Sequence, residues 1–112
     1  MNNEQIRLLS KMKKLVSEGS RRFQLRLNRD YLVDLLELGI CEEEAWNQIL
    51  GLNTNLYFPD PKPSFANNNA LTFKRLINNN IAYIKISLEK ATDGEFETVC
   101  LSFHKDYKEG KI

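Results

Sequence analysis

The second half of the chain alternates apolar and polar residues with a period of two, and this pattern constrains the fold most. Three stretches show it: "LTFKRLI" (71–77), "IAYIKISL" (81–88) and "TVCLSFH" (98–104). The tight-turn sequences "NN" (78–79) and "TDG" (92–94) separate them. Alternation indicates half-buried strands, and short turns rich in Asn and Gly join antiparallel neighbours. The sequence therefore predicts an antiparallel three-stranded meander.

The first half of the chain has helical spacing instead. We predict helices over 4–18, 29–38 and 42–50, and a short edge strand over 22–27. Asn28 is the expected cap of the second helix, whose buried stripe is predicted to contain Leu32, Leu35, Leu36 and Leu38. All three prolines fall within 59–63, which excludes helix there and predicts an extended segment followed by an irregular loop. The whole pattern predicts one α+β domain over residues 1–112, with the N-terminal helices packed on one face of a twisted antiparallel sheet.

Composition excludes several classes of protein. With 42% hydrophobic and 28% charged residues, the chain is typical of globular rather than disordered proteins. No apolar run approaches the roughly 20 residues of a membrane helix, and the N-terminus lacks the apolar region of a signal peptide. We therefore expect a cytoplasmic protein with no membrane association. Cys41, Cys100 and the single His104 have no metal-ligand spacing, so neither a metal nor another cofactor is expected.

Charge is distributed unevenly along the chain. Lys and Arg predominate in residues 1–29, whereas residues 30–50 contain Asp and Glu and no base. Such asymmetry can mark a surface for nucleic acid or for an acidic partner, or it can be the solvated surface of helices. We expect the basic segment to contact RNA or a partner and not to take part in catalysis.

Two-residue turns also predict which strand residues face each other. With turn tips at Asn78-Asn79 and Asp93-Gly94, the facing pairs are Lys74–Tyr83, Thr72–Lys85, Tyr83–His104, Lys85–Ser102 and Ser87–Cys100. The other side of the sheet then collects apolar residues, including Ile84, Leu101 and Phe103. A three-residue first loop is the alternative, and it would waste apolar burial by moving Phe73 and Ile77 to the polar side.

One side of the predicted sheet is therefore polar. It is expected to carry Thr72, Lys74, Tyr83, Lys85, Ser102 and His104. This set contains three possible cations, a phenol and no carboxylate, which favours an anionic ligand such as phosphate. The alternative is that these residues are only the solvated side of a half-buried sheet.

Several stretches resemble one known family. They are "KMKKLVSEG", "LLELGI", "ILGLNTNLYFPDPKP", "INNNIAYIKISL" and "VCLSFH", which occur in order along nearly the whole chain. They are similar to the MqsR (motility quorum-sensing regulator) family of type II toxin–antitoxin toxins. The most specific part is the pairing of "YIK" with the terminal "SFH". The resemblance implies a RelE-like fold and a metal-independent endoribonuclease that cleaves messenger RNA and is neutralised by a cognate antitoxin. The sequence does not determine the oligomeric state, and we expect a monomer when the protein is free.

The resemblance also implies a set of site residues. Tyr83 matches the family tyrosine of the Tyr-x-Lys strand, and His104, with Lys105 beside it, occupies the basic position after Ser-Phe. Thr72 occupies a polar strand position. The family has a lysine in the loop after the third helix, where this chain has Pro59. Either Lys62, the nearest lysine, takes that role, or the site has one cation fewer.

These residues suit RNA cleavage without a metal, which needs a base, an acid and cations around the phosphate. We predict Tyr83, His104, Lys85 and Lys62 as catalytic residues, and Lys74, Thr72, Ser102 and Lys105 as RNA-binding residues. A histidine suits the proton transfers at neutral pH, and the tyrosine can donate a proton or stack on a base. Two alternatives are a catalytically weak RNA- or ribosome-binding protein of the same fold and an interaction module whose sheet edge pairs with a partner.

Overall fold

Three helices pack on one face of a four-stranded sheet, which confirms the predicted α+β class. A computed structural model describes residues 1–59 and 69–106. The helices are α1 (Asn3–Ser17), α2 (Tyr31–Glu37) and α3 (Glu42–Leu50), with a short 3-10 turn at Thr54–Leu56. The strands are β1 (Arg21–Phe23), β2 (Ala70–Ile77), β3 (Asn80–Lys90) and β4 (Phe96–Lys105), in the order β1-β4-β3-β2. No helix among the described residues is long and apolar enough to cross a membrane.

The predicted antiparallel meander is present, but the complete sheet is mixed. β2, β3 and β4 pair antiparallel, whereas β1 lies parallel to β4 at the edge. The edge position of β1 was predicted, although its predicted length of 22–27 was too long. Phe23 is buried at the end of β1, while Leu25 and Leu27 are 80% and 104% exposed.

Helix α1 packs on the sheet through one apolar stripe. Asn2 and Gln5 form a capping box at its start, and Leu9, Met12 and Val16 are buried. The hydroxyl of Thr98 in β4 donates to the carbonyl of Met12 at 2.9 Å, and both groups are buried. This bond fixes the position of the helix along β4.

Helix α2 differs from the prediction in both its cap and its buried side. Asp30, not Asn28, caps it by accepting from the backbone N–H of Leu32 at 2.9 Å. Leu35 and Leu38 are buried as predicted, but Leu32 and Leu36 are 51% and 75% exposed. The inward side runs through Asp34 instead, so the prediction of a stripe that includes Leu32 and Leu36 was wrong.

The register of β2 with β3 is the predicted one. Asn78 and Asn79 form the turn with φ values of 49° and 67°, the left-handed conformation that a two-residue hairpin turn requires. Lys74 faces Tyr83 and Thr72 faces Lys85. The three-residue loop is excluded, and Phe73 and Ile77 are buried on the helix side.

The register of β3 with β4 contains a bulge that the sequence analysis missed. Lys90 faces Phe96, so five residues (91–95) form the connection and the pairs nearest to it are one residue out of the predicted register. Leu101 is an extra residue between the Ile86–Cys100 and Lys85–Ser102 pairs, and it restores the predicted register beyond that point. Tyr83 therefore faces His104 as predicted.

Because of the bulge, the structure differs from the prediction at two points. Ser87 faces Val99 and not Cys100, and Cys100 is buried in the apolar core. Leu101 is half-buried and does not belong to that core. The apolar side chain predicted to point inward is thus replaced by Cys100, because the extra residue reverses the alternation.

The bulge gives Ile84 and Leu101 different environments, although uninterrupted alternation would place both side chains in the core. We expect Ile84→Ala to lower the free energy of unfolding by about 2–5 kcal/mol, since a fully buried side chain leaves a cavity. Leu101→Ala should cost less than about 1 kcal/mol, as for most changes outside the packed core. Urea denaturation of both variants measures this, and equal losses would contradict the placement of Leu101 in a bulge.

Candidate functional site

The polar side of the sheet, opposite the helices, brings six of the eight predicted site residues together. We define the polar face as the six residues Thr72, Lys74, Tyr83, Lys85, Ser102 and His104. Direct pairing across β2, β3 and β4 aligns them in two rows, one through Lys74, Tyr83 and His104 and one through Thr72, Lys85 and Ser102. Side chains that face each other across antiparallel strands are close enough to act on one ligand. All six except the 4%-exposed Thr72 are half-buried.

His104 and Tyr83 are neighbours on this face. Their rings stack with centroids 5.2 Å apart and planes at 18°. The His104 Nδ1 atom lies 2.6 Å from the carbonyl oxygen of Lys105. A carbonyl oxygen can only accept, so Nδ1 carries the proton and the lone pair of a neutral ring is on Nε2. The backbone thus selects the tautomer that a base acting through Nε2 needs.

The surroundings of His104 favour its neutral form. Its pKa is lowered below 6.5, first by burial and then by the positive charges of Arg29 and Arg26. The hydrogen bond to the Lys105 carbonyl and the charge of Asp34 act in the opposite direction. Because the lowering effects prevail, the ring is neutral at pH 7 and can accept a proton.

Arg26 is a site residue that the sequence analysis did not single out. Its Nη2 atom donates to the carbonyl of Leu101 at 2.7 Å and to the hydroxyl of Ser102 at 3.3 Å. β1 ends at Phe23, so the following segment can bring Arg26 to the edge of β4 at the bulge. A guanidinium group therefore lies beside Ser102, next to the polar face.

A small cleft joins Arg26 to the histidine. It has a volume of about 20 Å³, enough for one water-sized group, and both Arg26 and Arg29 line it together with Ser102 and His104. Arg29 is held by two bonds to the carboxylate of Asp34, at 2.7 and 3.3 Å. Asp34 therefore offsets the charge of Arg29, while Arg26 donates to two uncharged groups, the Leu101 carbonyl and the Ser102 hydroxyl.

A carboxylate compensates Lys74, which corrects the prediction that this surface has none. The Lys74 Nζ atom lies 2.6 Å from Oδ2 of Asp106, and Asp106 is buried. The same ammonium group lies 3.9 Å from the ring centroid of Phe58. Lys74 is therefore a weaker candidate for a phosphate contact than its position in the row suggests.

The remaining predicted residues differ in accessibility. Lys85 and Ser102 lie side by side on the polar face, whereas the burial of Thr72 restricts its access to a ligand. Lys105 is next to His104 in β4, so alternation places its side chain on the other side of the sheet, as expected. Its contribution to the site is the carbonyl oxygen that orients His104. Lys62 lies outside the described residues.

Comparisons with known proteins identify no family for this chain. No protein-family model matches it, and no curated protein matches it. The resemblance to the MqsR family therefore stays a prediction. In the part of the chain that the structure describes, no three His, Cys, Asp or Glu side chains form a metal-binding group.

The proton affinity of His104 can be measured directly, because it is the only histidine. In an NMR titration we expect a pKa below 6.5, and Arg26→Gln should raise it because one of the lowering charges is removed. Because the unfolded chain binds this proton more readily, stability should fall as the pH drops below about 6.5. Lys11→Gln, in α1, is the matched control that should leave the pKa unchanged. A wild-type pKa above 6.5 would contradict the assignment of a neutral ring.

Proposed function

We propose that this chain is a metal-independent endoribonuclease that cleaves messenger RNA, the toxin of a type II toxin–antitoxin system with a RelE-like fold. The observation that carries the proposal is the geometry of His104. A histidine whose pKa is lowered, whose Nδ1 proton is fixed by a backbone carbonyl and which stacks on Tyr83 lies among cationic side chains. The proposal includes a cytoplasmic location and, as the family resemblance implies, a cognate antitoxin as partner.

The proposed reaction uses the 2′-hydroxyl of the RNA as the nucleophile. His104 accepts its proton at Nε2, the 2′-oxygen attacks the adjacent phosphorus, and the bond from phosphorus to the 5′-oxygen breaks. The phenol of Tyr83 donates a proton to the departing 5′-oxygen. The products are a 2′,3′-cyclic phosphate and a 5′-hydroxyl, so neither an oxidant nor a water molecule is consumed.

Cations around the phosphate would stabilise the charge that develops during attack. Lys85 and Arg26 lie on either side of Ser102 and reach the same part of the polar face. Their charges act most strongly on a phosphorane that carries more negative charge than the starting phosphate. Lys74 contributes less because Asp106 offsets its charge. Lys62 keeps its proposed role as the replacement for the family loop lysine.

A second candidate is an RNA- or ribosome-binding protein with little catalytic power. The Lys74–Asp106 pair favours it, because it removes charge from one end of the row that contains Tyr83 and His104. Such a protein would bind RNA through the same face and leave it intact. Analysis of the RNA ends separates the two candidates, since only cleavage by the proposed reaction produces 2′,3′-cyclic phosphates.

Replacement of His104 tests the proposed base. We expect His104→Ala to lower the cleavage rate of single-stranded RNA by about 100-fold or more, the usual contribution of a general base. Loss of the ring stack should lower the free energy of unfolding by only about 0.5–1.5 kcal/mol. Lys90→Ala, an exposed cation at the far end of β3, is the control. Cleavage by His104→Ala at the wild-type rate would refute the proposed role.

The salt dependence of RNA binding tests whether Arg26 contributes more to phosphate contact than Lys74, whose charge Asp106 offsets. Removing one phosphate contact to single-stranded RNA reduces the slope of log K against log salt by about 0.7. We expect Arg26→Ala to show a reduction of this size, and Lys74→Ala a smaller one, because Lys74 is already paired with Asp106. Fluorescence anisotropy with a labelled RNA that cannot be cleaved measures both slopes. An unchanged slope for Arg26→Ala would remove this residue from the proposed RNA contact.

A further inference from the structure

β1 leaves one edge of the sheet open. The carbonyl oxygen of Ser20 accepts from the backbone N–H of Thr98, and the backbone N–H of Gln24 donates to the carbonyl of Cys100. The main-chain groups of the even-numbered residues in this segment therefore point to β4. Arg21 and Phe23 therefore direct their main-chain groups away from the sheet. The N–H of Arg21 bonds back to Gly19, whereas the N–H and C=O of Phe23 have no hydrogen-bond partner among the described residues. Unpaired groups on an edge strand are a template for the addition of another strand.

An open groove runs beside this edge. It has a volume of about 730 Å³ and lies between β1 and the beginning of α3. Its apolar wall is aromatic: the ring centroid of Phe23 lies 4.3 Å from that of Tyr31 and 4.7 Å from that of Trp46, and Phe23 and Trp46 are themselves buried. Leu25 extends the groove beyond β1 and is 80% exposed. Tyr31 and Leu25 thus supply the accessible apolar lining of the groove, next to the unpaired backbone of Phe23.

The opposite wall is acidic. Glu42 and Glu43, in the first turn of α3, line the groove and are exposed. Arg21 compensates one of them, with its Nη2 atom 3.2 Å from Glu43. The charge of Arg22 is held by Glu97 at 2.6 Å. Since carboxylates offset both arginines of the lining, Glu42 is the charge of the groove that no cation among the described residues offsets, and this disfavours RNA and favours a basic ligand.

We propose that the β1 edge binds an extended segment of a partner protein in which basic and apolar residues alternate. The backbone of that segment would pair with Phe23, and its apolar side chains would contact the aromatic wall. Its Lys or Arg side chains would lie near Glu42 and Glu43. The proposal rests on the open edge, the aromatic lining and the complementary charge, and it does not depend on RNA cleavage by the polar face.

Trp46 provides a direct readout, because it is the only tryptophan and lies in the groove. The probe is a capped seven-residue peptide of alternating lysine and leucine, added to the full chain. We expect a saturable change in Trp46 fluorescence. The same peptide with N-methyl groups on alternate amides should bind at least about 10-fold more weakly, since it cannot complete the strand pairing, and tenfold corresponds to about 1.4 kcal/mol.

Variants of the chain test the two walls separately. Leu25→Pro should weaken peptide binding at least about 10-fold by blocking extension of the pairing, and Glu42→Gln with Glu43→Gln should do the same by removing the charge. The double variant Glu4→Gln with Glu18→Gln, which removes two acids from the α1 region, is the matched control and should bind normally. Equal binding of the methylated and unmethylated peptides by wild type would overturn the proposal, whatever the stability of the variants.

Two further outcomes would also overturn it. One is the absence of any saturable fluorescence change at peptide concentrations up to about 1 mM, which corresponds to weak binding of about 4 kcal/mol. The other concerns a second copy of the chain. If analytical ultracentrifugation shows a dimer that Leu25→Pro dissociates, the occupant of the edge is another copy and not a partner protein.

Discussion

The extra residue in β4 decides which side chains the two faces of this sheet present. Beyond Leu101, towards the C-terminus, Phe103 points to the helices, and Ser102 and His104 point away from them. Before it, Cys100 and Thr98 point to the helices. Without the extra residue, the side chains on one side of Leu101 in the sequence would switch to the opposite face of the sheet. A shift of one residue reverses every side chain of a strand. Both the contact of β4 with α1 and the grouping of His104 with Tyr83 depend on this one irregularity.

The bulge also explains how Arg26 reaches the site. A bulge interrupts the ladder and leaves main-chain groups that need other partners. Here the carbonyl of Leu101 accepts from Arg26, which simultaneously contacts Ser102. Because the bulged strand needs a hydrogen-bond donor for the Leu101 carbonyl, the guanidinium group of Arg26 lies at the edge of the polar face. The basic segment before α2 contributes to the site through this contact, although the sequence analysis assigned that segment a role outside catalysis.

The register of the site could be predicted from the sequence, but partly through compensating errors. The turn at Asn78-Asn79 was correct because two residues with positive φ leave little choice of pairing. At the other hairpin the predicted turn was too short, and the bulge at Leu101 cancelled the error only for pairs beyond it. Asp106 could have been found, since it follows His104 by two residues and alternation places it on the same side. Arg26 could not, because its contacts lie 75 residues further along the chain and depend on the parallel placement of β1.

The positive charges near His104 affect both the pKa of this candidate base and the stability of the phosphorane expected to form beside it. Burial lowers the pKa of His104 most, and the charges of Arg29 and Arg26 lower it further, because a protonated ring would lie close to other cations. A phosphorane in that position would experience the same charge as an attraction. The cations therefore add to the effect of burial, which keeps His104 neutral, and they also favour the anionic state that follows. A carboxylate near His104 acts in the opposite direction, as Asp34 does, but Asp34 is bonded to Arg29 and Asp106 is paired with Lys74. The lowering effects therefore prevail, which suits a neutral histidine in a site for an anion.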